Sequence, residues 1–103
     1  NMAKMLKQAQ DVQKRIEHVQ SELDDLQING ESGGGLVKAT VNGKMELLDV
    51  SLQDDILEED KDMIEDLIIS AVNNAMSKAQ EESQNRMNSV TGGIMGGMKI
   101  PGM

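Results

Sequence analysis

The residues best placed to do chemistry are cations. On a helix advancing about 100° per residue, Lys4, Lys7, Lys14, Arg15 and His18 fall within roughly 100° of arc, and Asp11 is the one acid on that strip. Ammonium and guanidinium groups held in a row attract phosphate and carboxylate oxygens and make charge-assisted hydrogen bonds to them. An ordinary solvated helix face has the same appearance, so periodicity alone leaves both readings open.

Other chemistries lack their parts. His18 is the sole histidine and there is no Cys or Tyr, so the usual grouping of nucleophile, base and orienting residue cannot be assembled within one subunit. We therefore expect no enzyme, no catalytic residues, no small-molecule substrate and no cofactor. The acidic run from Asp54 to Asp66 lacks the Asp-x-Asp-x-Asp-Gly loop and closing Glu of a calcium hand, and reads as a solvated acidic face with no metal. Gly30, Gly33, Gly34 and Gly35 are not followed by Gly-Lys-Ser/Thr, so that stretch reads as a turn rather than a phosphate loop.

The cations must be carried by the first helix. Met5, Ala9, Val12, Ile16, Val19, Leu23 and Leu26 recur at alternating steps of four and three, a heptad seam. It lies about 130° from the basic strip at 100° per residue, so the cations face outward whatever the seam packs on. The helix, about 37 Å long at about 1.5 Å per residue, is longer than a small domain can cover. Part of it should project or pack on a second chain, and packing on the C-terminal helix of the same chain is equally open.

After Leu26 the period changes. Gln27 to Glu31 reads as a short strand and Ser32 to Gly35 as a flexible turn. Leu36 to Val41 and Lys44 to Leu52 read as two further strands joined at Asn42-Gly43, a hairpin signal in which both turn residues take positive φ. The result is a three-stranded antiparallel meander with Val37, Ala39 and Val41 in one row and Leu48, Val50 and Leu52 in another, so at least one face needs covering and the long helices are the obvious cover. A short acidic helical turn is expected within Ser51 to Glu59. Asp60 is the predicted N-cap of a second long helix with a buried stripe from Met63 to Ala79, thinning into solvent and ending near Thr91. From Gly92 to Met103 a Gly/Met tail is expected to be mobile. The expected class is α+β, with a single domain over 2–91 and a flexible tail over 92–103.

Composition frames these elements. A chain of 103 residues buries a modest share of its surface, so a partner subunit is a natural expectation. Phe, Tyr and Trp are absent, which leaves nine Met beside the aliphatic residues and removes any aromatic platform for stacking bases. The lack of Cys and of long apolar runs fits a cytoplasmic protein with no membrane association. Asn1, ahead of Met2, is set aside as lying before the natural start. The formal charge of −8 argues against a polyanionic partner, yet seven of those charges sit between Asp54 and Asp66, where eight acids face only Lys61.

Several stretches resemble the YbaB/EbfC family: Lys7-Gln8-Ala9-Gln10 with Val12-Gln13-Lys14, Gly30 to Val37, and Asn42-Gly43. The match continues through Asp60 to Leu67, Ala71-Val72-Asn73-Asn74-Ala75 and Pro101-Gly102. The resemblance runs nearly the whole chain in order, although family tails often carry a Phe where Met98 and Met103 stand here. It implies a bacterial nucleoid-associated protein that binds double-stranded DNA, a homodimer with associated sheets and helices projecting like tweezer arms. In that setting the strip would hold phosphates, with Lys78 and Arg86 of the last helix as helpers. Sequence preference would come from DNA shape, since the strip offers few base-reading groups besides Gln8 and Gln10. The rival expectation is a protein-interaction module that does not bind DNA, and it would be favoured if the Asp54 to Asp66 acids lay beside the basic strip.

Overall fold

The computed structural model of the chain describes residues 1–95, side chains included as far as Val90. The first helix, α1, spans Met2–Asp25 with no Gly or Pro inside it. Asn1, set aside on sequence grounds, is its N-cap: its side-chain oxygen accepts the Ala3 N–H at 2.9 Å, satisfying one of the orphan donors of a first turn. The chain turns extended at Leu26.

Three strands follow, β1 (Ile28–Ser32), β2 (Val37–Val41) and β3 (Leu47–Leu52), in an antiparallel meander of order β1-β2-β3. The β1–β2 turn takes three successive positive φ values at Gly33, Gly34 and Gly35, which only glycines adopt in a row without steric cost. In register, Gly30 faces Ala39, Ala39 faces Val50 and Val37 faces Leu52. The register shifts between Thr40 and Val41, where Val41 pairs with Leu47, and Leu48 becomes the extra residue of a bulge.

The second hairpin departs from the two-residue turn expected at Asn42-Gly43. Neither residue has positive φ; Met45 takes it instead, at 67°. The reason lies in the Asn42 side chain, which is buried and organises a longer loop. Its oxygen accepts the N–H groups of Lys44 and Glu46 at 2.9 and 3.0 Å, and its amide donates to the Glu46 carboxylate at 2.8 Å. A side chain that replaces the backbone turn in this way sets the loop length itself.

A 3₁₀ turn, Asp54–Glu58, matches the expected acidic turn and is pinned by fully buried Ile56. The second helix, α2, spans Lys61–Met95, with Asp60 Oδ1 accepting the Met63 N–H at 2.8 Å as its cap. It runs four residues beyond the end expected at Thr91, through Gly92 and Gly93. Glycine keeps its N–H and costs a helix only about 1 kcal/mol relative to alanine, so it weakens the ladder without breaking it. Of the expected tail, 96–103 lies outside the described residues.

The core forms where α2 crosses the sheet. Ala71, Ala75 and Ala79 are buried against Val37, Ala39, Val41 and Ile56. Small residues every fourth position let the helix backbone come close, and at Gly30 it comes so close that a Cβ would stand 2.3 Å from the Ala75 nitrogen. Asn74 Oδ1 accepts the Glu31 N–H at 3.2 Å, so α2 also covers the free edge of β1. Past Ala79, Glu82, Ser83, Arg86, Met87 and Val90 are half-buried; the helix there leaves the sheet and meets α1 rather than entering solvent. Extents of 69 × 30 × 16 Å and a radius of gyration of 19.5 Å, against about 13 Å for a compact chain of this length, describe a small body with a long helical limb.

Candidate nucleic-acid interface

The heptad seam meets α2 of the same chain, and only in part. Val19 and Leu23 are buried, Val12 and Ile16 half-buried, and Met5 and Ala9 exposed, so α1 is clamped at its C-terminal half and free at its N-terminal half. The clamp centres on Gly43. Its N–H donates to the Leu23 carbonyl at 2.8 Å and its own carbonyl accepts the Ser83 hydroxyl at 2.6 Å. A Cβ at Gly43 would fall 2.8 Å from both the Leu23 side chain and its carbonyl oxygen. Lys44 Nζ reaches Asp24 at 2.9 Å, and the hairpin loop thus locks both helices together.

Lys4, Lys7, Lys14 and Arg15 are all exposed on the outer part of α1 and make no ion pair with any described residue. His18 stands at the inner end of the strip, its Nε2 2.9 Å from Glu22 Oε1. Arg86 is committed to structure: its guanidinium bonds Glu82 at 2.8 Å and Glu22 across the helix pair at 3.3 Å. The Glu82 hydrogen bond, with the Glu22 carboxylate also nearby, holds that guanidinium still more firmly in its charged form. Lys78 lies apart, beside the polar outer face of the sheet with Glu31, Lys38 and Asp49. The structure therefore gathers the α1 cations on one limb, sets Arg86 at the root of that limb on Glu22, which His18 also meets, and places Lys78 apart.

The end of α2 adds to the limb. Ser89 and Val90 share a cleft with Lys14, Arg15, His18 and Val19, which the strip alone did not indicate. The acidic run sits at the opposite end: from Asp66 to Val90, α2 rises about 36 Å at about 1.5 Å per residue. No ion pair joins an acid of that run to the strip among the described residues, so within one chain those acids do not pair with the strip. Among those residues no group of His, Cys or acidic side chains could hold a metal ion, and no helix is long and apolar enough to cross a membrane.

Sequence reasoning missed two features. Leu47, Leu48 and Leu52 of β3 are exposed, because α2 lies over β1 and β2 and barely touches β3. Met2, Met5 and Leu6 are exposed at the tip of α1; their position beside Lys4 and Lys7 was visible, their lack of cover was not.

Comparison with known proteins agrees with this architecture. The crystal structure of an uncharacterized protein, HP0035, from Helicobacter pylori superimposes with a TM-score of 0.77 at 24% identity, covering 89% of this chain and 98% of that one, which shows a shared fold. The model of the YbaB/EbfC DNA-binding family matches residues 1–94, taking in α1, the meander and nearly all of α2. The chain belongs to the YbaB/EbfC DNA-binding family.

Proposed function

We propose that this protein is a cytoplasmic, nucleoid-associated factor that binds double-stranded DNA as a homodimer. Each subunit grips phosphate oxygens with Lys4, Lys7, Lys14 and Arg15, with His18 at the inner end of the strip. The observation that carries the reading is the sorting of charge: residues 2–16 hold four cations and one acid, while the acidic run lies at the far end of α2. A limb of one sign held clear of the opposite sign keeps a local positive field in a protein of net negative charge. No chemistry is performed on the DNA; binding is modest in affinity and weakens steeply as salt competes for the phosphates.

The dimer reading rests on β3. Its free edge and three exposed leucines leave both backbone donors and apolar surface uncovered, a combination that soluble proteins bury. A second copy joined there leaves both α1 limbs projecting. Sedimentation of the free protein should give twice the chain mass, and a Leu48→Asp variant should sediment as a monomer and bind a labelled duplex more weakly. A parent that sediments as a monomer at every concentration used for binding would overturn the dimer. A parent that leaves the duplex unbound at low salt would overturn DNA binding.

A further inference from the structure

The tip of α1 carries more than charge. Met2, Met5 and Leu6 are 87, 67 and 62% exposed and with Ala3 line one shallow apolar depression. Lys4 and Lys7 lie on the same two turns, and no acid occurs before Asp11. Helix N-termini favour acids, as Asp60 and Asp62 show at the start of α2; the first turn of α1 has none. The tip thus combines an apolar centre, a cationic rim and the positive end of a helix dipole, and a fitting ligand is apolar at its centre and anionic at its margins.

Charge and shape narrow the choice. A second tip would set Lys4 and Lys7 against like charges. A lipid surface takes a helix lying flat with its whole apolar face in the interface, whereas beyond Ala9 this face continues as the half-buried seam of Val12 and Ile16. The major groove of DNA, about 12 Å wide, admits a helix, has phosphates at its rim, and presents one apolar group on its floor, the C5 methyl of thymine. Building on the DNA-binding reading above, we propose that the α1 tip enters the major groove and seats Met5 and Leu6, with Met2 beside them, against thymine methyls while Lys4 and Lys7 hold the flanking phosphates. The tip then confers a preference for A·T-rich sites, and the unbranched methionines adapt to methyls at varied positions.

Uracil tests this directly, because it lacks only that methyl and changes neither charge nor hydrogen-bonding pattern. Affinity of the full chain is measured for one A·T-rich duplex made with thymine and again with uracil at every thymine, each across a salt series. The parent should bind the thymine duplex more tightly by about fourfold for each methyl buried, with the same salt slope on both. A Met5→Gln/Leu6→Gln variant, altered only at exposed helix positions, should bind both duplexes alike. Equal parent affinity for the two duplexes, or a preference that survives in the variant, would overturn the proposal while leaving phosphate binding intact. Pelleting of the parent, and not the variant, with phosphatidylglycerol vesicles would reassign the tip to lipid. No binding to either duplex at low salt would remove the DNA-binding reading itself.

Discussion

The two halves of α1 are built for opposite purposes. The inner half, from Glu17 to Asp25, is acidic, and its charges are put to structural use: Glu22 meets His18 and Arg86, and Asp24 meets Lys44. Its apolar residues Val19 and Leu23 are buried, and Gly43 closes on its last turn. The outer half keeps four cations out of ion pairs and leaves Met2, Met5 and Leu6 uncovered. One continuous helix therefore has a root whose side chains hold the fold together and a tip whose side chains are left free of it. Rigidity at the root positions the tip, since a limb anchored only by solvent contacts would sweep many orientations and lose binding free energy when ordered.

Two leucines on the same helix test that division most strongly. Leu23, 6% exposed, should cost about 3 kcal/mol when changed to Ala, as buried leucines do, seen as a lower urea midpoint. Gly43→Ala should cost about 2 kcal/mol through overpacking against Leu23, and should speed amide exchange in α1 more than in β2. Ser83→Ala removes the hydroxyl that bonds the Gly43 carbonyl and should lower stability by about 1 kcal/mol. Leu6→Ala, at the tip, should stay within about 0.5 kcal/mol of the parent. A tip substitution as costly as a root one would break the comparison. Arg86→Gln sharpens it further: because that guanidinium is held by Glu82 and Glu22, duplex affinity should change less than it does for Lys14→Gln in the same titration.

Much of this division was legible in the sequence, and the missing parts share one cause. The heptad seam announced α1, and the alternation and turn residues announced the meander, because both depend on local period. How far the seam is covered depends on where α2 runs, which is a tertiary matter. Arg86 could be counted as a cation, but its partner Glu22 stands 64 positions away, and no local pattern signals that pair. Asn42-Gly43 was read as a turn and is one in location only; Gly there answers to the approach of Leu23, and the same residue type marks either need. Leu48 and Leu52 could be placed on one face with Val50, but alternation tells which residues share a face and not whether a helix lies over it. The α1 strip itself could be read because cations at helical spacing share a face in any packing.

The most direct test of the central claim, that the outer half of α1 is the phosphate-contacting surface, is duplex binding by anisotropy across a salt series. The parent is compared with a variant in which Lys4, Lys7, Lys14 and Arg15 are each changed to Glu. The account predicts a steep loss of parent affinity with salt, a slope flattened in the variant by about 0.9 for every phosphate contact removed, and unchanged mass and thermal stability. A variant that keeps the parent's affinity and slope would contradict it and move the DNA-binding surface away from the α1 limb.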